Sequence, residues 1–197
     1  IEIDGDDPLT YCYLGEANEQ LNNLSLAWDF YQKALSMSPT LAEAWLGLGI
    51  VKDLQGQPKE SLHYIERALE LEPNMDGYYH VYAGALENAG MLEEAEDAYL
   101  ACLTLDPGNE DCFFDYVDFM LEHRVGDART FVENYILKHQ LFFSVLPIIY
   151  LNWTSGNQEG AKLVLVESLN KDPEKTKEVF IRYPELADVQ ELVNLTR

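Results

Sequence analysis

Apolar residues recur three or four positions apart along most of the chain, which is the spacing that puts them on one face of an α-helix. Ala27, Tyr31 and Ala34 form one such set. No stretch alternates with the two-residue period of a β-strand over a useful length. The longest apolar run, residues 141–151, contains Pro147 and is too short to span a bilayer. The pattern predicts an all-α protein made of amphipathic helices.

Three prolines, Pro39, Pro73 and Pro107, lie 34 residues apart. This distance is the length of a repeat made of two helices and a turn. Because proline has no backbone N–H to continue a helix, each proline is expected to follow the end of the second helix of a repeat. The prolines therefore predict at least three consecutive helical repeats.

Small residues recur with the same period. Asn22, Gly56 and Gly90 fall where the first helix of each repeat should end, and these residue types tolerate the left-handed backbone that closes a helix. Gly15 and Gly49 fall inside the predicted first helices. We expect each of them to let its helix approach the partner helix closely.

Several positions agree over three consecutive periods. The matching residues, period by period, are Tyr11, Leu14, Gly15, Ala27, Tyr31, Ala34 and Pro39; Trp45, Leu48, Gly49, Ser61, Ile65, Ala68 and Pro73; and Tyr79, Tyr82, Ala83, Ala95, Tyr99, Cys102 and Pro107. This pattern resembles the tetratricopeptide repeat (TPR) family. The resemblance implies an all-α, right-handed α-solenoid of helix–turn–helix repeats that acts as a protein-interaction scaffold and not as an enzyme.

The register predicts one solenoid over residues 1–197. Its expected parts are regular repeats at 8–41, 42–75 and 76–109, a degenerate repeat at 110–141, a further repeat at 142–175 and a C-terminal cap at 176–197. Pro147 is tolerable in a first turn, so we expect that helix to begin near Ser144 as its N-cap. Residues 1–7 have the phase of the end of a second helix. They are expected to be the tail of a preceding repeat, which would make this chain a piece of a longer array. The Tyr183–Leu186 ending also resembles uncharacterised bacterial TPR proteins.

The net charge of −22 is unevenly distributed. Up to Glu122 there are four basic and 25 acidic residues, a balance of −21; from His123 onward there are nine basic and ten acidic residues, a balance of −1. Nucleic acid and anionic membrane surfaces need basic patches, so neither is an expected partner.

By the family resemblance, the first helix of each repeat lines a concave groove. The residues expected to face it are Glu16, Glu19, Glu43, Leu46, Ile50, Asp53, His80, Glu87, Asp111, Phe114, Asp118 and Glu122. An anionic groove attracts cations, so the expected partner is a protein or peptide with a basic segment. The alternative that the acidic residues only keep the solenoid soluble stays open.

The resemblance also argues against a receptor for acidic chaperone tails. TPR domains of that kind hold the terminal carboxylate with lysine, arginine and asparagine. The corresponding positions here are Cys12, Glu16, Gly47, Gly77 and Val81, or, one repeat along, Leu46, Ile50, Val81, Asp111 and Asp115. Neither set can hold a carboxylate.

Signals for other chemistry are missing from the sequence. It has no phosphate-binding glycine loop, paired-histidine zinc motif or nucleophile elbow, so no cofactor, metal or catalytic residue is predicted. The acidic cluster at 93–97 is interpreted as favourable charge at a helix start and not as a calcium site. Cys12, Cys102 and Cys112 are interpreted as packing residues, and the expected location is cytoplasmic.

Two other functions stay open at this point. The array could self-associate into a homo-oligomer through an end or its convex face. It could also be the non-catalytic targeting arm of a larger enzyme whose catalytic domain lies outside these residues.

Overall fold

A computed structural model describes residues 7–123 and 126–196 of the chain. Within these ranges the chain forms helices joined by short turns, and none of the described residues lies in a β-strand. The chain divides into two compact units, residues 1–112 and 113–197. Apart from Asp7, the expected tail of a preceding repeat lies outside the described residues.

The first unit is built from three helix–turn–helix pairs. The helices are α1 (Pro8–Gln20), α2 (Leu24–Met37), α3 (Ala42–Leu54), α4 (Pro58–Leu71), α5 (Asp76–Asn88) and α6 (Leu92–Leu105). Each odd-numbered helix packs against the helix that follows it, and each pair also packs against the next pair. The helices α1, α3 and α5 contact one another in succession, and the surface that they share is called the α1–α3–α5 face below.

The turns between paired helices have the backbone that the sequence predicts. Asn22, Gly56 and Gly90 have φ values of 58°, 74° and 76°, so all three are left-handed. The helices α2, α4 and α6 each end two residues before a periodic proline. The predicted left-handed turn residues and the predicted helix ends before the prolines are therefore both confirmed.

Close packing in the first unit depends on helical glycines. A Cβ atom at Gly15 would lie 2.7 Å from the ring of Tyr31, and one at Gly49 would lie 2.5 Å from Cγ1 of Ile65. Tyr31 and Ile65 are almost completely buried. The expected close approach of the paired helices at Gly15 and Gly49 is confirmed.

The second unit contains shorter and less regular helices. After the end of α7 (Glu110–His123) come α8 (Ala128–His139), a 3₁₀ turn (Phe143–Val145), α9 (Leu146–Thr154), α10 (Gln158–Lys171), α11 (Pro173–Lys177), α12 (Val179–Arg182), α13 (Pro184–Ala187) and α14 (Gln190–Leu195). Its core includes an aromatic cluster around Phe113, whose ring lies 4.7 Å from that of Tyr135 and 5.4 Å from that of Phe143.

The N-cap predicted for the helix that contains Pro147 is wrong. Ser144 is not an N-cap: it lies buried in the 3₁₀ turn, and its hydroxyl donates to the Leu141 carbonyl at 2.6 Å. The helix begins at Leu146, without a side-chain cap. Pro147 does occupy the first turn, as expected, where its missing N–H costs nothing.

The three cysteines are free thiols, and all are buried. Cys12 and Cys102 pack among apolar residues of the first unit, and the Cys112 thiol lies 3.8 Å from the Tyr99 carbonyl oxygen. Their interpretation as packing residues is confirmed. In the described part of the chain, no helix combines the length and the hydropathy needed to cross a membrane.

Candidate functional site

A cavity of about 300 Å³ opens between α1 and α3. Tyr31 of α2 also lines it, and Leu9 and Tyr13 lie at its α1 side. Five of the residues predicted to face the groove line this first cavity: Glu16, Glu19, Glu43, Leu46 and Ile50. The cavity therefore combines three carboxylates with apolar side chains.

Helical spacing explains why these side chains converge. Cys12, Glu16 and Glu19 are four and three residues apart on α1, so they share one face of that helix. One face of α3 likewise carries Glu43, Leu46 and Ile50, which are three and four residues apart. The two helices pack side by side, and their shared faces form the walls of the cavity.

Tyr31 reaches this cavity because two facing residues have no side chain. A Cβ atom at either Gly15 or Gly47 would lie within 3.0 Å of its ring. The Tyr31 hydroxyl donates a hydrogen bond of 3.0 Å to Oε2 of Glu19. Burial, and to a smaller extent the nearby Glu16 carboxylate, raise the pKa of Glu19, while the bond from Tyr31 opposes this shift.

The same tyrosine–glutamate pair recurs two periods later. The Tyr99 hydroxyl donates to Oε2 of Glu87 at 2.9 Å. Glu87, which was predicted to face the groove, is thus bound to its own repeat. The pair ties the first helix of a repeat to the second.

The middle repeat lacks this pair, because its corresponding residues are Asp53 and Ile65. Asn88 of the next repeat instead donates to Oδ2 of Asp53 at 2.8 Å. The Oδ1 atom of Asp53 is buried and has no hydrogen-bond partner among the described residues. Burial raises the pKa of Asp53, and the hydrogen bond from Asn88 partly offsets this effect.

A second cavity, of about 280 Å³, lies between α3 and α5. Its lining includes Asp53 and Asn88, together with the predicted contact residue His80. Gly84 also lines it, and no atom lies within 4 Å of where its Cβ would be. Ile50 lines both cavities, so they are neighbours on the α1–α3–α5 face.

The remaining predicted residues lie on α7, outside both cavities. Asp111 is exposed in the first turn of α7, and Glu122 is exposed near its end. Phe114 is only 7% exposed and packs edge-on against Phe113, with ring centroids 5.6 Å apart.

Arg182 of α12 covers the part of α7 that contains Phe114 and Asp118. Its guanidinium lies 5.2 Å from the centroid of the Phe114 ring. One nitrogen, Nη2, lies 2.5 Å from Oδ1 of Asp115 and 2.8 Å from Oδ2 of Asp118. Burial raises the pKa of Asp118, although Arg182 opposes that shift.

The sequence did not identify three residues that shape these sites. Tyr31 was noted only for its helical spacing and its place in the repeat, although two glycines in facing helices, Gly15 and Gly47, could have indicated a ring between them. Tyr13 precedes the first cavity's carboxylates and is 66% exposed. Arg182 lies 67 residues after Asp115, and no local pattern in the sequence connects the two.

Comparison with other proteins gives the same repeat pattern. Family models described as tetratricopeptide repeat match residues 10–41, 42–75 and 77–109, which together make up half of the chain. A UDP-N-acetylglucosamine–peptide N-acetylglucosaminyltransferase of Giardia intestinalis is 31% identical over 121 residues, or 59% of this chain. The chain spans only 8% of that enzyme's length.

Solved structures share the fold at low sequence identity. The PilF protein of Pseudomonas aeruginosa has a TM-score of 0.65 and 19% identity, and the match covers 91% of each chain. The first TPR domain of Spaghetti (RPAP3), bound to the HSP90 peptide SRMEEVD, has a TM-score of 0.56 and 18% identity, over 64% of this chain and 99% of that one. The predicted fold class, an all-α solenoid of helix–turn–helix repeats, is confirmed, and the chain belongs to the tetratricopeptide repeat family.

Proposed function

We propose that this protein is an interaction scaffold whose α1–α3–α5 face binds a polypeptide with a basic segment. The observation that carries the proposal is the pair of neighbouring cavities on this face, which share Ile50. The first cavity supplies carboxylates and apolar walls, and the second supplies Asp53 with an unused acceptor oxygen. TPR neighbours such as the RPAP3 domain bind peptides, which supports a peptide as the occupant.

The ion pairs of the chain favour a cationic partner. Among the described residues, no lysine or arginine pairs with Glu16, Glu19 or Glu43, the carboxylates of the first cavity. Lys52 instead pairs with Glu60 at 2.9 Å, away from this cavity. A basic side chain of a bound polypeptide would neutralise these carboxylates. Carboxylates gathered in a concave, partly apolar site focus the potential that attracts such a cation.

The same charges argue against an acidic peptide tail. The HSP90 peptide bound by the RPAP3 domain ends in the acidic sequence EEVD. A ligand of that kind would bring its carboxylates to a cavity lined by Glu16, Glu19 and Glu43. Like charges in close contact disfavour binding by several kcal/mol, about 3 or more. We therefore expect a partner of opposite charge to that peptide.

Fluorescence anisotropy with labelled alanine-based peptides tests this proposal. The peptides carry evenly spaced basic residues in one case and evenly spaced acidic residues in the other. We expect the basic peptide to bind and the acidic one not to bind. Affinity should fall steeply as ionic strength rises from low to physiological values, because exposed charges are screened.

Charge reversal locates the binding face. The double variant Glu16→Lys with Glu43→Lys should weaken binding of the basic peptide about tenfold or more, because each charge-assisted hydrogen bond is worth roughly 1.5–3 kcal/mol. The matched control is Glu93→Lys with Glu94→Lys, which makes the same charge change in the first turn of α6. Equal weakening by both variants would mean attraction to net charge without a site. Unchanged binding in the first variant would contradict the proposed face.

A second function is favoured by one comparison. The Giardia relative is an enzyme, and the similar segment is a small part of it. This chain could thus be the non-catalytic arm that brings a substrate polypeptide to a catalytic domain. The test is to sequence the complete gene and look for such a domain. We propose no catalytic activity for the residues described above, and a cytoplasmic location remains a prediction.

A further inference from the structure

The second unit shows how this protein holds a guanidinium group. Asp115 and Asp118 are three residues apart on α7, and both carboxylates form ion pairs with the same nitrogen of Arg182. The Phe114 ring lies on one side of the guanidinium, at 5.2 Å. On α7, two carboxylates one helical turn apart, together with an aromatic ring, hold this arginine side chain.

The first cavity contains the same components, and among the described residues no arginine pairs with its carboxylates. Glu16 and Glu19 are also three residues apart on one helix, α1, and Glu43 adds a third carboxylate from α3. The aromatic component is the Tyr31 ring, which lines the cavity from α2 and is held by its hydrogen bond to Glu19. Leu46 completes an apolar wall that can cover the aliphatic stem of a long side chain.

We infer that the first cavity is a subsite for an arginine side chain of the bound polypeptide. Glu16 and Glu43 accept hydrogen bonds from the guanidinium, which lies against the Tyr31 ring. This inference rests on the proposed function, since it names the side chain that the α1–α3–α5 face selects. It is more specific than the proposed function, because it requires arginine where that function requires only a basic side chain.

Arginine suits this cavity better than lysine for two reasons. Its planar guanidinium carries five N–H donors in fixed directions, so it can bridge carboxylates on both walls at once. It is also more weakly hydrated than an ammonium group and stacks on aromatic rings. A lysine ammonium is a compact and strongly hydrated charge, and entering a cavity with apolar walls would cost it more hydration.

The test compares arginine and lysine peptides of equal length, spacing and charge on the full chain by isothermal titration calorimetry. We expect the arginine peptide to bind about five- to tenfold more tightly, given the strength of charge-assisted pairs with planar geometry. A third peptide with citrulline, which keeps the shape of arginine but loses the charge, should show no measurable binding.

The variant Glu16→Gln with Glu43→Gln should remove the preference for arginine while the helical circular dichroism stays unchanged, because both side chains are exposed. The matched control, Glu93→Gln with Glu94→Gln, should keep the preference. Equal binding of the two cationic peptides to the wild-type chain would overturn the arginine subsite but leave the proposed function standing. A preference that survives in the Glu16 and Glu43 variant would also overturn it. If neither cationic peptide binds, the proposed function itself fails.

Discussion

Two glycines of the first unit provide a matched test of how the repeats pack. Gly47 lies inside α3, and a Cβ atom there would lie within 3.0 Å of the Tyr31 ring. Gly84 lies inside α5, and nothing lies within 4 Å of its Cβ position. Alanine at each site makes the same chemical change in a helix interior. Only the space around the new methyl group differs.

The expected changes in the free energy of unfolding have opposite signs. Alanine is favoured over glycine inside a helix by about 1 kcal/mol, so Gly84→Ala should stabilise the protein by about 0.5–1 kcal/mol. The same gain applies at Gly47, but overpacking a close-packed core costs about 1–3 kcal/mol. The Tyr31 ring cannot simply move away, because it is almost completely buried and also packs closely against Gly15. Gly47→Ala should therefore destabilise the protein by about 1–2 kcal/mol.

Urea unfolding followed by tryptophan fluorescence measures this difference. Two of the three tryptophans, Trp28 and Trp45, lie in the first unit and report on its packing. The midpoint should rise for Gly84→Ala and fall for Gly47→Ala, at an unchanged slope. If Gly47→Ala raised the midpoint as much as Gly84→Ala does, the close contact with Tyr31 would not restrict this site, and the packing argument would be refuted.

Two further changes test buried charge. Arg182→Met leaves the half-buried Asp118 unpaired and should lower the free energy of unfolding by about 1–2 kcal/mol at pH about 7. This is less than for a fully buried pair, because both groups are partly exposed. The control Lys177→Met breaks a more exposed pair and should lower the free energy of unfolding by less than about 0.5 kcal/mol. The destabilisation by Arg182→Met should be smaller in urea titrations at lower pH, because protonation removes the unpaired charge of Asp118. Burial raises the pKa of Asp53 above its ordinary value of 3.8, so the wild-type chain loses stability as pH rises through that raised pKa. Asp53→Asn should flatten this pH dependence and be at least as stable at neutral pH, and a steeper dependence in the variant would contradict the assignment.

The regular part of the fold could be predicted from the sequence because its determinants are local. A proline without an N–H and a residue with positive φ each act within one turn of backbone, so Pro39 and Gly56 mark helix ends wherever they recur. Ser144 shows the limit of such reasoning. It has the side chain of an N-cap, but it is buried in a 3₁₀ turn and its hydroxyl donates to the Leu141 carbonyl three residues earlier. The residue type alone does not distinguish this role from that of a cap.

The candidate site was accessible to prediction only in part. Helical spacing gives the side of a helix on which a residue lies. Together with the groove positions that the family resemblance implies, it gathered Glu16, Glu43 and Ile50, which line one cavity. It does not give the neighbour that a residue will meet. The bond between Asp53 and Asn88 joins residues 35 positions apart, and it depends on the packing of two successive repeats.

Helix α7 shows that the register predicts which face of a helix a residue lies on, but not whether that face is covered by another part of the protein. Phe114 lies two exact periods after Leu46, and Asp118 lies two exact periods after Ile50. The register therefore assigns Phe114 and Leu46 to one repeat position, and Asp118 and Ile50 to another. Leu46 and Ile50 line an open cavity, whereas Arg182 covers Phe114 and pairs with Asp118. Equivalent positions of the repeat therefore line an open cavity in one repeat and are covered by a side chain of the same protein in another. Among the described residues, no lysine or arginine pairs with Glu16, Glu19 or Glu43 of the first cavity, and for that reason we expect binding there and not on α7.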